Sequence, residues 1–281
     1  MVLTLSLLAG TAIAWLVIAI LEKVRLGLSL PQALLYVPFK LAYRIEDDRI
    51  KLARDAAAPV IYVMTHQSRL DPALMLSLLP DNTLHILDPL SAKSPWLEPW
   101  RELARTITFN AEHVFVSRRL VRVLKGTGRL AVYIPEAVEP DIKSFRLYRA
   151  IVRIALQSDA RIVPIFIGGA RSLPFSKTEA AKAPRRWLPH LSLAVLEPMT
   201  IGELVAQSTD PETSTTNALF DRVAEARFAA TNPNRSLFEA VRDSADRVGA
   251  SYTIVEDVVS GALSYRKLLI GSRILGSRFM Q

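Results

Sequence analysis

Strands alternating with helices predict an α/β protein whose mixed or largely parallel sheet is flanked by helices on both faces, preceded by an N-terminal membrane helix. Three observations carry this reading. The chain opens on an uncharged stretch from Val2 to Leu21, short apolar runs of strand length recur after residue 58, and amphipathic helical patterns lie between those runs. At 281 residues the chain can bury one large core, or one core and a small appendage.

The opening stretch VLTLSLLAGTAIAWLVIAIL is 20 residues long. At about 1.5 Å of rise per residue it matches the roughly 30 Å hydrocarbon core of a bilayer. No basic segment precedes it, and it exceeds the apolar region of about 7–15 residues found in signal peptides. A spanning or deeply inserted helix is therefore expected. Lys23, Arg25, Lys40 and Arg44 all follow the run, so the positive-inside rule puts the rest of the chain on the cytoplasmic side of a cell inner membrane.

After Pro31, QALLYVPFKLAYRI mixes apolar, aromatic and basic residues and reads as an interfacial segment. Residues 47–58 are polar and form a link. Strand-length runs then occur at 59–65 (PVIYVMT), 83–88, 113–117 (HVFVS), 129–134, 161–167 and 191–197. Helical patterns include PALMLSLL after Asp71, RRLVRVLKG and KSFRLYRAIVRIALQS. The composition turns polar at 206–216, and Asn232-Pro233-Asn234 marks a second break. The organisation expected is a membrane anchor and interfacial segment over 1–45, a catalytic domain over 46–210, a linker helix over 211–235 and a separate module over 236–281. Those last 46 residues read as helix, strand, turn and helix, too few to bury much of a core.

Composition narrows the function. With 35 Lys and Arg against 27 Asp and Glu, the formal charge of +8 favours anionic partners. The basic residues are scattered and no nucleic-acid motif is present, so membrane lipids are the expected partner and nucleic acid is not. The chain has no cysteine, which removes disulfides, thiolate nucleophiles and cysteine-held metal. His85, His113 and His190 have no zinc-ligand spacing, and no metal site is expected.

Residues 65–72, Thr-His-Gln-Ser-Arg-Leu-Asp-Pro, stand at the exit of a buried strand and the entry of a helix. Asp71 before Pro72 has the form of a helix N-cap, which explains the aspartate without any chemistry. His66 follows the strand directly and so emerges at the carboxyl end of the sheet, where α/β folds bind ligands. If the turn folds back, Asp71 reaches one imidazole nitrogen and leaves the other to take a proton.

The HQSRLD segment resembles the H-x4-D signature of the glycerolipid acyltransferases, the family that includes the lysophosphatidic acid acyltransferases. Three further blocks stand in that family's order: Val114-Phe115-Val116-Ser117-Arg118-Arg119, Tyr133-Ile134-Pro135-Glu136 and Ile162-Val163-Pro164-Ile165. The resemblance covers roughly residues 55–200. It implies that His66 and Asp71 activate an acceptor hydroxyl, that Ser68, Arg118 and Glu136 contact substrate, with Arg118 holding the acceptor phosphate, and that no cofactor is bound, the acyl donor being acyl-carrier protein or acyl-CoA. Two positions depart from the pattern. Ala137 stands where the family has glycine, and Ser117 where an acidic residue is common, which bears on the acceptor more than on the reaction type. Arg118 and Arg119 also open a helix, where a cation opposes the macrodipole unless an anion binds there.

One branch is more similar still. GGARSLPFSKTEAAKAPRRWLPHLSLAVLEP resembles the acyltransferase half of the bifunctional acyl-carrier-protein synthetase/2-acylglycerophosphoethanolamine acyltransferases, and residues 236–281 resemble the opening elements of an acyl synthetase, without a phosphate loop. The implied reaction is acyl transfer to a lysophospholipid of the 2-acylglycerophosphoethanolamine type, with a separate acyl synthetase domain as a possible partner. Acylation of 1-acylglycerol-3-phosphate to phosphatidic acid would use the same motifs, and a non-catalytic membrane scaffold is the reading left if the four blocks carry no chemistry.

Overall fold

The computed structural model describes residues 2–87, 93, 95–100, 106–108, 117–126, 128–135, 142–174, 176, 187–208, 213–231, 236–257 and 261–279. The expected strand at 113–117 falls outside them except for Ser117, which begins a helix. Five parallel strands, β1 (Val60–His66), β2 (Thr83–Leu87), β3 (Thr106–Thr108), β4 (Arg129–Pro135) and β5 (Arg161–Gly168), are joined by β6 (Ser192–Val195), antiparallel to β5. The order is β3-β2-β4-β1-β5-β6, so β1 lies in the interior between β4 and β5. Thr106-Ile107-Thr108 is too short to signal a strand by itself, and pairing with β2 makes it one.

β1, β4 and β5 are nearly continuous apolar runs because both faces of the sheet are covered. Alternate residues divide between two layers. Tyr62, Met64, Ala131, Tyr133, Val163 and Ile165 join the layer of α1 (Val2–Leu26), α2 (Leu30–Tyr43), α3 (Ile50–Arg54) and α4 (Asp71–Leu78). Ile61, Val63, Leu130, Val132 and Ile134 join the layer of α5 (Ser117–Lys125), α6 (Ile142–Ser158), α7 (Ile201–Gln207) and α8 (Thr215–Ala229). The turn from α5 into β4 is tight enough that a Cβ on Gly128 would lie 2.3 Å from the Val123 carbonyl oxygen, so only glycine fits there.

Three expectations change. The interfacial segment is α2, which buries Ala33, Tyr36, Val37 and Phe39 in the first layer, so it is core as well as surface. The expected linker helix is α8, whose Ala218, Leu219, Val223 and Ala226 are buried against the sheet and its helices. Its apolar spacing was legible, but the polar tract before it suggested a boundary that packing overrides. Residues 2–21 are helical as expected. Among the described residues, however, no helix is long and apolar enough to cross a membrane, so a membrane-spanning helix is not shown. α1 runs on past the apolar stretch through Glu22, Lys23 and Arg25 to Leu26.

Charged side chains fasten this helical pair to the body. Arg25 donates to Glu22 (2.6 Å) and to Asp47 (2.5 Å), Lys40 pairs with Glu22 (2.8 Å) and Asp47 (3.2 Å), and the Tyr36 hydroxyl also donates to Asp47. Burial alone would raise the Asp47 pKa, but the Arg25 and Tyr36 hydrogen bonds and the nearby cations outweigh it and hold the carboxyl below its ordinary range. Two more side chains close the carboxyl end of α4: Gln32 Nε2 donates to the carbonyls of Leu76 (3.0 Å) and Leu79 (2.6 Å), and Arg54 donates to those of Leu78 and Gly27 (2.5 Å each).

Beyond Thr231, α9 (Leu237–Val248), the hairpin β7 (Thr253–Asp257) with β8 (Gly261–Ser264), and α10 (Tyr265–Phe279) pack mainly on one another. Among their described residues only Ala245 and Tyr265 are buried apolar side chains. Removing residues 232–281 while keeping the Thr231 hydroxyl cap on Phe228 should leave the melting temperature of the remaining chain largely unchanged. A clearly lower melting temperature would show that the tail helps to hold the body together.

Candidate active site

β1 delivers His66 to the carboxyl end of the sheet, opposite Pro135 of β4, and four residues of turn lead to α4. Asp71 is the first residue of that helix rather than its cap. The cap position is Leu70, whose side chain has no oxygen to cap the helix. The Asp71 carboxylate instead points back over the turn. Its Oδ2 accepts from the backbone N–H of Gln67 and of Ser68 at 2.7 Å each, its Oδ1 accepts from the Ser68 hydroxyl at 2.6 Å, and Oδ2 lies 3.4 Å from His66 Nδ1. The capping explanation of Asp71 therefore gives way to one in which its charge organises the turn that carries the histidine.

His66 is 5% exposed and Asp71 2%, so their mutual attraction is little screened by water. With a proton on Nδ1 facing Asp71, the imidazole presents Nε2 as the nitrogen that accepts a further proton, and the carboxylate stabilises the resulting cation. The His66–Asp71 separation is long for a hydrogen bond, as catalytic contacts often are without substrate.

Ser68 is fully buried, and its hydroxyl, bonded to Asp71, also accepts from the N–H of Leu70 at 3.2 Å. The structure thus places it as a brace of the turn rather than on an open surface. The turn is held from another side too: Ser68 forms an antiparallel bridge with Ser176, and the Ser176 hydroxyl donates to the Gln67 carbonyl at 3.3 Å. The amides of Gln67 and Ser68 both donate to Asp71 and so are already engaged within the turn. Arg118 and Arg119 are exposed in the first turn of α5, and among the described residues no contact joins either to His66. Glu136 lies outside the described residues. Among the described residues, no three His, Asp or Glu side chains come together as a metal-ligand set.

Two residues in line with the histidine, Tyr133 beside it and His85 on the far side of Tyr133, were not singled out from sequence. The Tyr133 ring meets the His66 ring nearly edge-on at 5.7 Å between centroids, and its hydroxyl is 2.9 Å from Nδ1 of His85, buried on β2. Both lie in the first layer because β4 and β2 share the pleat of β1. Burial, then the charge of Asp71, raise the Tyr133 pKa well above its ordinary value, and burial pushes that of His85 down to about 3. Tyr133 was in a quoted block and two residues from Pro135, but which strand neighbours which is not written in the sequence.

The neutral state of His85 has a measurable consequence. The unfolded chain takes up a proton at this position below its ordinary value of 6.5, and the folded chain does so only near 3. Stability from this residue is therefore full above pH 6.5 and falls as the pH drops toward 3. The loss between pH 6.5 and 5 should be about 2 kcal/mol, and His85→Gln should flatten that part of the melting-temperature profile. An unchanged profile would place the acid sensitivity elsewhere.

Residues 45–168 match the Acyltransferase family, a span that includes β1 through β5, His66 and Asp71. The structure is also similar to that of the 1-acyl-sn-glycerophosphate (LPA) acyltransferase PlsC from Thermotoga maritima, with a TM-score of 0.48 and 16% identity over 83% of this chain and 97% of that one. The family match spans the buried His-Asp turn, and the chain is an O-acyltransferase enzyme.

Proposed function

We propose that the enzyme transfers a fatty acyl group from acyl-carrier protein or acyl-CoA to the free hydroxyl of a lysophospholipid of the 2-acylglycerophosphoethanolamine type, at the cytoplasmic surface of the cell inner membrane. The observation that carries the reading is the buried pair of His66 and Asp71 on one braced turn. Nε2 of His66 takes the acceptor hydroxyl proton as the oxygen attacks the thioester carbonyl. The tetrahedral intermediate then collapses with cleavage of the C–S bond, and the departing thiolate recovers the proton from the imidazolium. The products are the diacyl phospholipid and the free thiol of the donor.

Membrane association is supported by α1 and α2. Ile13, Trp15, Leu16, Val17, Ile20, Leu21 and Val24 are exposed on α1, and Leu41 on α2, an apolar surface that water solvates poorly. Trp15 donates its indole N–H to the Leu34 carbonyl at 3.1 Å, linking the two helices across that surface. Lys23, Arg25, Lys40 and Arg44, which follow the uncharged run, favour the cytoplasmic side. The module over 236–281 is assigned as the opening of an acyl synthetase-like domain, on its resemblance and on its sparse burial.

His66→Ala should lower acyl transfer by about 100-fold or more, the usual scale for a lost general base, while vesicle binding persists. Asp71→Asn should also be impaired, because an amide group cannot accept at both oxygens from the turn. Near-normal turnover in either variant would overturn the mechanism. Thiol release from acyl-carrier protein and acyl-CoA across a panel of lysophospholipids separates the proposed acceptor from 1-acylglycerol-3-phosphate, and an enzyme releasing no thiol with any member would leave the scaffold reading.

We assign the acceptor phosphate to Arg118, the first cation of α5, and Glu136 to the acceptor side of the site. Arg118→Ala should raise the KM for the phosphate-bearing acceptor more than that for the donor, since a lost charged hydrogen bond acts on the group it touched. Arg119→Ala is the comparison. Equal effects from both substitutions, or none from either, would remove the assignment.

A further inference from the structure

The geometry points to the outer face of α5 and α6 as the docking surface for an acidic carrier protein that presents its acyl group on a phosphopantetheine arm. The inference rests on the acyltransferase reading above and names the partner that delivers the donor. The sequences of the two helices, SRRLVRVLK and IKSFRLYRAIVRIALQS, contain no acidic residue. Their side chains divide cleanly. Leu120 and Leu124 of α5, and Tyr148, Ile151, Ile154 and Ala155 of α6, are buried in the second layer. Arg118, Arg119, Arg122 and Lys125 of α5, and Arg146, Arg149 and Arg153 of α6, are exposed.

On α6 the cations recur at i, i+3 and i+7, which places them along one face over about 10 Å. None of the seven forms an ion pair among the described residues, whereas Arg25, Lys40 and Arg222 all do. Helices packed on each other that present only positive charge repel one another slightly and gain nothing in folding from it. An anionic partner turns the same arrangement into attraction and into steering of its approach.

Placement selects a soluble protein over the bilayer. The basic face belongs to the second layer, on the side of the sheet opposite α1 and α2, whose exposed surface is apolar. A membrane held by α1 and α2 leaves α5 and α6 turned away from it. Apart from Leu156 near the end of α6, the described large apolar side chains of the two helices are covered or partly covered, so among the described residues the face lacks the apolar insertion that holds an interfacial helix in lipid. Direction matters as well. α5 ends just before β4 begins and α6 ends just before β5 begins, so both helices run back along the strands and start at the sheet end that carries His66. A carrier seated along them has its arm at the catalytic end.

The test uses the full chain with Arg146→Glu, Arg149→Glu and Arg153→Glu combined, and Arg149→Glu alone as a milder variant whose folding is checked by melting temperature. Acyl transfer is measured with acyl-carrier protein and with acyl-CoA at low and moderate salt, alongside binding to phosphatidylglycerol vesicles. The triple variant should raise the KM for acyl-carrier protein at least about tenfold at low salt, with the gap closing as salt rises. Its kcat, its KM for acyl-CoA and its vesicle binding should stay near those of the unaltered chain. A matching rise in KM for acyl-CoA would make the face a nucleotide site, and loss of vesicle binding would make it a membrane surface. Unchanged kinetics with both donors would make it solvated charge, and each of these outcomes overturns the proposal. Binding of unacylated carrier protein, measured without turnover, keeps the two readings distinguishable. A chain that binds carrier through α6 but transfers no acyl group retains this surface and loses the acyltransferase function.

Discussion

A buried carboxylate needs hydrogen bonds to offset the loss of water, and the way Asp71 obtains them fixes the active site. Three donors come from the turn immediately before it, two backbone amides and the Ser68 hydroxyl. The chain between β1 and α4 is thereby wrapped around one negative charge, and the histidine that ends β1 is brought beside it. Removing the charge would leave those buried donors unsatisfied as well as deprive His66 of its partner. The same interaction therefore supports the local fold and, in the proposed mechanism, the chemistry, so a conservative change at Asp71 acts on both.

The rigidity of that turn depends on what holds α4 from its other end. Gln32 of α2 and Arg54 of α3 close its terminal carbonyls, and Arg54 also reaches Gly27 between α1 and α2. The helical pair that bears the apolar surface is in turn fastened to the domain through Arg25, Lys40, Tyr36 and the buried Asp47. The exposed apolar side of α1 and the turn that carries His66 are thus joined by side chains that cross one layer of the structure.

The two layers differ in what they show to the outside. The first is apolar at its surface, on α1, and holds the polar residues His66, His85 and Tyr133 next to the sheet. Among the described residues the second has a mainly apolar interior and a strongly basic exterior on α5 and α6. A six-stranded sheet keeps the two surfaces apart, and β1 and β4 finish together at its carboxyl end, at His66 and Pro135.

Much of this was written in the order of residues. Nearly continuous apolar runs at 59–65, 129–134 and 161–167, separated by amphipathic stretches, determined a sheet buried on both faces, and the position of His66 directly after the first run determined that it would stand at the sheet's carboxyl end. Those features are local, since they depend on periodicity and on which residue follows a strand. The sequence could not decide whether Asp71 capped its helix or turned back, because both uses need an aspartate at a helix start and differ only in backbone angles set by packing. Nor could it show that α8 is core, that Ser68 braces the turn, or that Tyr133 stands between His66 and His85. The last of these relations joins residues far apart in the chain, and only the lateral order and register of β2, β4 and β1 brought them together.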